Sequence, residues 1–246
     1  MGADVDFFWD PMCPWAWIGS RWVADVADRR GLEVQWRFIS LRLVNEGRDY
    51  DAEFPDGYLE HHDRSLRLLR VAARIRRDLN DKAVGDYYTA LGTLIHEQHR
   101  HEELDPVGSA TLRDAIVGVG GHPDWVTSAD DETFDPVIKE DVDLAIARVG
   151  IEAGTPIMTL DPPDGPSIFG PVLSRRVLGD EADELWDATV VIAREDGLSE
   201  VKRRRPRFSS FDTFPIRRAA ASDAEADEGC VLPGAVSTAS EGSGTT

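Results

Sequence analysis

The spacing of apolar residues changes several times along the chain, and each change predicts an element. Val5 to Trp9 is a short, aromatic and β-branched run that predicts a buried strand, ended by Asp10 and Pro11. From about Pro14 to Arg30 the period becomes helical, with Trp15, Ile18, Trp22 and Val26 in step and Gly31 as the stop. Leu32, Val34, Trp36 and Phe38 then alternate, which predicts a second strand. Two strands joined by a crossover helix lie parallel, so the first forty or so residues read as a β-α-β unit.

Between about Asp56 and Gly150 the pattern is helical throughout. Leu68, Ala72, Ile75 and Leu79 form one stripe, and Tyr87, Leu91, Leu94, Ile95 and Gln98 another. Ala110 to Val119 and Phe134 to Val149 are further helices. Strand signals return at Ile157 to Leu160 and Ser167 to Phe169, separated by the turn-rich Asp161-Pro162-Pro163-Asp164-Gly165-Pro166. A helix from about Glu181 to Arg194 follows, with Leu185, Thr189 and Ile192 on one face. After about Arg218 small and acidic residues dominate, which predicts a disordered tail. The order predicts an α/β fold: a thioredoxin-like sheet carrying an all-helical insertion. Its parts are 1–55 (β-α-β), 56–150 (insertion), 151–218 (β-β-α) and 219–246 (acidic tail).

Charge narrows the partners. The 246 residues carry 46 acidic and 27 basic side chains, a formal net charge of -19. Nucleic acid or an anionic membrane would be repelled over much of such a surface. No apolar run approaches the length of a membrane span, and the first residues lack a basic leader pattern, so the expected compartment is the cytoplasm. Local basic runs do not change this. Arg67, Arg70, Arg74 and Arg77 read as a solvated helix face paired with nearby acids, and Lys202 to Arg205 as a run neutralised by the protein's own carboxylates.

The chemistry rests on cysteine. The chain has two, Cys13 and Cys230, and Cys230 falls in the tail. Cys13 stands where the first strand gives way to a helix, followed by Pro14, a residue suited to the first helical position. A sulfur there faces unpaired backbone N–H groups and the positive end of the helix dipole, which favour thiolate over thiol. Trp9, Trp15 and Trp17 could wall a substrate. Gly154-Thr155-Pro156 precedes the third strand and by spacing alone is an ordinary turn into it. His96-Glu97-Gln98-His99-Arg100-His101 lacks the i, i+4 histidine pair of a zinc protease helix, so no metal site is expected. His61 and His62, opening a helix, are expected to face solvent. Gly118-Val119-Gly120-Gly121 lacks the setting of a phosphate loop.

Several motifs in order carry a resemblance. They are Phe7-Phe8-Trp9-Asp10-Pro11, Cys13-Pro14-Trp15 with Trp17-Ile18 and Ser20-Arg21-Trp22, Ser40-Leu41 with Asn45-Glu46, Ile95-His96 with Gln98, Gly154-Thr155-Pro156, Phe169-Gly170-Pro171-Val172-Leu173-Ser174, and Leu185-Trp186-Asp187. Over about residues 4–214 the chain resembles the DsbA-like thioredoxin-fold family that includes mycothiol-dependent nitroreductases. The resemblance implies Cys13 as nucleophile and a cis Pro156 beside it. It also implies a substrate or thiol site formed by Trp9, Pro14, Trp15, Asn45, His96, Thr155 and Pro156. The co-substrate would be mycothiol or another low-molecular-weight thiol, with no tightly bound cofactor; a homodimer is compatible with it. The chain departs from the family at Ala16, where the motif usually ends in a second cysteine that resolves the mixed disulfide. A dithiol cycle within the motif is therefore excluded. Three readings stay open: a monothiol reductase, a thiol transferase or isomerase that activates a bound thiol, and a degenerate binding module. Cys230 is a minor candidate for a resolving thiol.

Overall fold

The computed structural model describes residues 2–105, 108–150 and 154–204. Four strands make one sheet in the order β2-β1-β3-β4, with β1 at Val5–Trp9, β2 at Val34–Phe38, β3 at Ile157–Leu160 and β4 at Ser167–Phe169. β1 pairs parallel with β2 (Val5 opposite Val34, Trp9 opposite Phe38) and antiparallel with β3 (Phe8 opposite Ile157). β4 completes the hairpin with β3. Helix α1 (Pro14–Arg30) provides the parallel crossover and ends at Gly31, whose φ of 70° is a left-handed conformation that glycine adopts without strain.

Strand alternation sorts the core into two faces. Val5, Phe7 and Trp9 of β1 join Met158 and Leu160 of β3 in the larger cluster, beneath α1 and the insertion helices. Phe8 and Ile157 point the other way, against Val142 and Ala145 of α7 (Asp135–Val149). Asp6 lies on that second face fully buried, and is neutralised by Arg148 at 2.8 Å and Arg37 at 3.3 Å.

Between β2 and β3 the described residues contain helices and turns only. The short α2 (Leu41–Val44) and α3 (Tyr50–Glu53) precede α4 (Tyr58–Asp78), α5 (Asp81–Gly92) and α6 (Ala110–Gly118). The stripe Leu68, Ala72 and Ile75 is fully buried. Leu79 is 37% exposed because it caps the helix with non-helical angles instead of continuing it. α5 passes directly into a π turn, Thr93–Glu97, and 3₁₀ turns occupy His101–Leu104 and Pro123–Asp130. The arginine stripe of α4 is paired with acids: Arg67 with Asp130, Arg70 with Asp135, and Arg74 and Arg77 with Asp78.

The last helix, α8 (Asp180–Ala193), corrects one expectation. Its buried face is Ala182, Trp186 and Thr189, while Ile192 is 44% exposed. Trp22 of α1 makes that choice. Its ring lies 5.5 Å from that of Trp186, and its Nε1 donates to Ala182 O at 3.1 Å. Arg29 and Arg30 of α1 pair with Asp180, Asp183 and Asp187 along the same seam. The expected tail and Cys230 lie outside the described residues.

Two glycines of α5 let tryptophans pack against its backbone. A Cβ at Gly92 would come within 2.1 Å of the Trp17 ring, and one at Gly85 within 2.3 Å of Trp36. Gly92→Ala and Gly85→Ala are each expected to lower unfolding free energy by about 1–3 kcal/mol, the usual range for overpacking, despite alanine's better helix propensity. Urea unfolding followed by far-UV circular dichroism checks this.

Candidate active site

The segment between β1 and α1 is fixed before the cysteine is reached. Asp10, fully buried at the end of β1, accepts from Met12 N (2.9 Å) and Ser65 Oγ (2.5 Å) through one oxygen and from Leu41 N (3.1 Å) through the other. Its own carbonyl accepts from Cys13 N at 3.1 Å. Burial is the main cause that raises its carboxyl from the ordinary range to about 6, against the pull of those three donors.

Two neutral imidazoles brace the following peptides. His96 Nε2 lies 2.9 Å from Pro11 O, and His61 is hydrogen-bonded to the Met12 backbone. Burial dominates at both and pushes each down to about 3. The His96 Nε2–H therefore donates to Pro11 O, which leaves Nδ1 as an acceptor with no hydrogen-bond partner. His62 falls to about 4 for the same reason, with its Nδ1 2.9 Å from Tyr50 OH. These positions correct the solvent-facing expectation for His61 and His62, which are 7% and 4% exposed. The first turn of α4 lies under the rings of Tyr50, Phe54 and Tyr58, so its histidines are covered.

Cys13 is the N-cap residue of α1, with extended angles; its carbonyl accepts the first helical bond from Trp17 N at 3.0 Å, and Pro14 opens the helix. The Cys13 thiol donates to Thr155 O at 3.7 Å. The Thr155–Pro156 peptide is cis, and Thr155 Oγ1 donates to Phe8 O at 3.1 Å, which ties that turn to β1. Gly19 of α1 faces Pro156, since a Cβ there would stand in ordinary contact with Pro156 Cγ at 3.4 Å. The sulfur thus sits at a helix N-terminus and against the peptide that precedes Pro156, yet only 1% of the residue is exposed.

The other expected site residues divide. Trp15 follows Pro14 in the first turn and is 3% exposed. Trp9 is fully buried, stacked on Tyr88 at 4.0 Å and edge-on to Phe38 at 5.9 Å, so it forms a wall behind the site. Asn45 is the C-cap of α2, where its Nδ2 donates to Leu41 O at 2.8 Å and its Oδ1 has no partner. Its helix meets the cysteine loop through the Asp10–Leu41 bond, and among the described residues the Asn45 side chain bonds Leu41 O and not Cys13. Asp10, His61, Ser65 and Tyr88 were not selected from sequence. Asp10 was read as a strand terminator, and the other three lie on helices that only folding brings to the cysteine. His99 leaves the helix with a φ of 55°, and no group of three metal-binding side chains occurs among the described residues.

A sheet of order β2-β1-β3-β4, a cysteine capping the crossover helix and a cis-proline before β3 define a thioredoxin-like fold of the DsbA type. The chain belongs to the Rv2466c-like family, described as mycothiol-dependent nitroreductase Rv2466c, whose model matches residues 12–203. It is 32% identical over 204 residues to the uncharacterized protein Rv2286c of Mycobacterium tuberculosis (strain ATCC 25618 / H37Rv), covering 81% of each chain. A crystal structure of a candidate protein disulfide isomerase from Nitrosomonas europaea shares the fold at 12% identity and a TM-score of 0.51, over 78% of this chain and 98% of that one. A thiol-dependent redox role follows from the family. No helix of the described residues is long and apolar enough to cross a membrane.

The buried imidazoles give a pH prediction. His61, His62 and His96 refuse protons in the fold that they accept at about pH 6.5 once unfolded. Between about pH 6.5 and 4 the unfolded state therefore binds more protons, and stability falls as pH falls, by about 1.4 kcal/mol per pH unit for each histidine. Asp10 acts oppositely between 3.8 and about 6, because its raised pKa gives the folded state the extra proton. Three histidines outweigh one carboxyl, so the net trend is loss of stability on acidification. Urea midpoints at pH 7.5, 6 and 5 check it, and His96→Gln is expected to flatten the profile.

Proposed function

We propose that this chain is a small-thiol-dependent reductase, with mycothiol or a similar thiol as reductant and Cys13 as the sole working thiol of the motif. The observation that carries the reading is the Cys13 sulfur at the N-terminus of α1, 3.7 Å from Thr155 O beside the cis-Pro156 peptide. Attack on a disulfide requires the thiolate form of a cysteine. Ala16, fully buried, removes any second thiol from the motif. Two small thiols then share the cycle. Cys13 and one small thiol become a mixed disulfide as the acceptor takes up two electrons and two protons. A second small thiol, as thiolate, attacks the small-thiol sulfur, breaks the mixed disulfide and leaves as the symmetrical disulfide. The electron pair of the broken bond returns to Cys13 as its thiolate.

Trp15, Asn45, His96, Thr155 and Pro156 are the residues proposed to border the thiol and acceptor. Trp9 supports them from behind. The burial of Cys13 means that the site opens before reaction. The acidic surface keeps nucleic acids and anionic membranes from being partners, and a thiol-reduced cytoplasm is the proposed compartment.

A second reading is supported by the same Ala16. An enzyme that activates a bound thiol for conjugation or isomerisation needs no resolving cysteine. Product analysis separates the two, since a thioether or isomer in place of a reduced acceptor and oxidised thiol would favour the second.

Cys13→Ser is expected to abolish thiol-dependent turnover, and Cys230→Ser to leave most of it. Intact mass spectrometry of the protein incubated with mycothiol disulfide is expected to show one adduct, on Cys13. Turnover retained by Cys13→Ser would overturn the mechanism.

A further inference from the structure

About two turns along α1 from the cysteine lies a largely buried cation that has no ion-pair partner among the described residues. Arg21 projects back over Trp17, one turn nearer the cysteine, with its Cζ 4.2 Å from that ring. Its Nη1 donates to Thr89 Oγ1 at 2.9 Å and its Nε to Ser20 Oγ at 3.2 Å. Its Nη2 is buried with no hydrogen-bond partner. Glu97, the carboxylate whose charge reaches Arg21, is engaged by Arg176. That is unusual in a chain with 46 acidic and 27 basic residues, where the other buried cationic sites, such as Arg70 with Asp135 and Arg148 with Asp6, are paired. A guanidinium withdrawn from water without an anion is costly, and burial is the main cause that lowers its pKa.

A second group points to the same place. Tyr88 is fully exposed to protein and not to solvent, at 0% accessible, and its ring centroid lies 6.0 Å from Arg21 Cζ. Its OH has one polar neighbour, the Ser20 hydroxyl, which also donates to Trp17 O and accepts from Arg21 Nε, so the tyrosine and the guanidinium share that oxygen. Tyr88 is near enough to both Cys13 and Arg21 to feel the charge of each. Buried donors without partners are rare in folded proteins and mark places where something else completes the set.

We propose that Arg21 Nη2 and Tyr88 OH form an anion subsite beside Cys13 that selects acceptor substrates bearing a carboxylate. This rests on the reading of Cys13 as the working thiol and adds the substrate class. Arg21 and Trp17 are four residues apart, so the guanidinium comes roughly one helical turn, about 5.4 Å, closer to the cysteine than its own Cα. A small aromatic acid can therefore anchor its carboxylate at Arg21 while its reducible group faces the sulfur. Trp17 supplies a ring face alongside.

The test is equilibrium binding without any thiol, so that it reads the subsite independently of turnover. Tryptophan fluorescence quenching is titrated with 4-nitrobenzoate and with the neutral 4-nitrobenzyl alcohol. The wild-type chain is expected to bind the anion more tightly despite its net charge of -19. Arg21→Met is expected to weaken the anion by about tenfold or more, the scale of one charge-assisted bond, and to leave the alcohol within about twofold. Arg21→Lys, which keeps the charge and loses the fork, is expected to fall between them. Equal wild-type affinity for the two ligands, or equal loss of both in Arg21→Met, would overturn the subsite. Loss of turnover in Cys13→Ser with anion preference intact keeps the subsite, while anion indifference with normal turnover removes it and leaves the thiol mechanism standing.

Discussion

The site depends on one carboxyl group that is out of reach of water. Asp10 receives a hydrogen bond from its own loop at Met12, from α4 at Ser65 and from the start of α2 at Leu41. Three separated stretches of chain are thus held to the end of β1, one residue before the loop that delivers Cys13. Burying a carboxyl is unfavourable unless donors surround it, and the rise to about 6 shows that these donors compensate only in part. Removing any one of them would leave a buried acceptor short of a partner, so the loop has little freedom to move alone.

Thr155 comes from 142 residues further on and meets the same sulfur because β3 lies antiparallel to β1. The Phe8–Ile157 register fixes where the preceding turn falls. Thr155 Oγ1 on Phe8 O then locks the turn to the strand, and α1 packs over Pro156 at Gly19. The sulfur is held against the Thr155 carbonyl, while the Cys13 backbone caps α1. Side chains contribute the wall: Trp9 on Tyr88, Tyr88 against Trp17, Trp17 on His96.

Charge follows a different logic over the rest of the surface. Exposed pairs such as Lys82–Asp86 and Lys139–Asp143 contribute little each, since water and salt screen them. Buried ones such as Asp6 with Arg37 and Arg148 orient elements, because breaking them leaves a charge in a medium of low polarity. Arg21 belongs to neither group, which is why it stands out.

The sequence by itself determined the β-α-β start, the two later strands and the place of Cys13 at a helix N-terminus. Those features rest on local rules: side-chain period, the stop at Gly31 and the fit of proline to a first helical turn. Family motifs added the cis geometry at Pro156, which spacing could not show. The short helices α2 and α3 escaped because four residues are too few to display a period. Only the tertiary structure decided which face of α8 is buried, that His61 and His62 are sealed and neutral, and that Asp10 serves as an anchor. Each of those outcomes is set by what packs across the gap from another part of the chain, and a residue's own neighbours in sequence do not encode that contact.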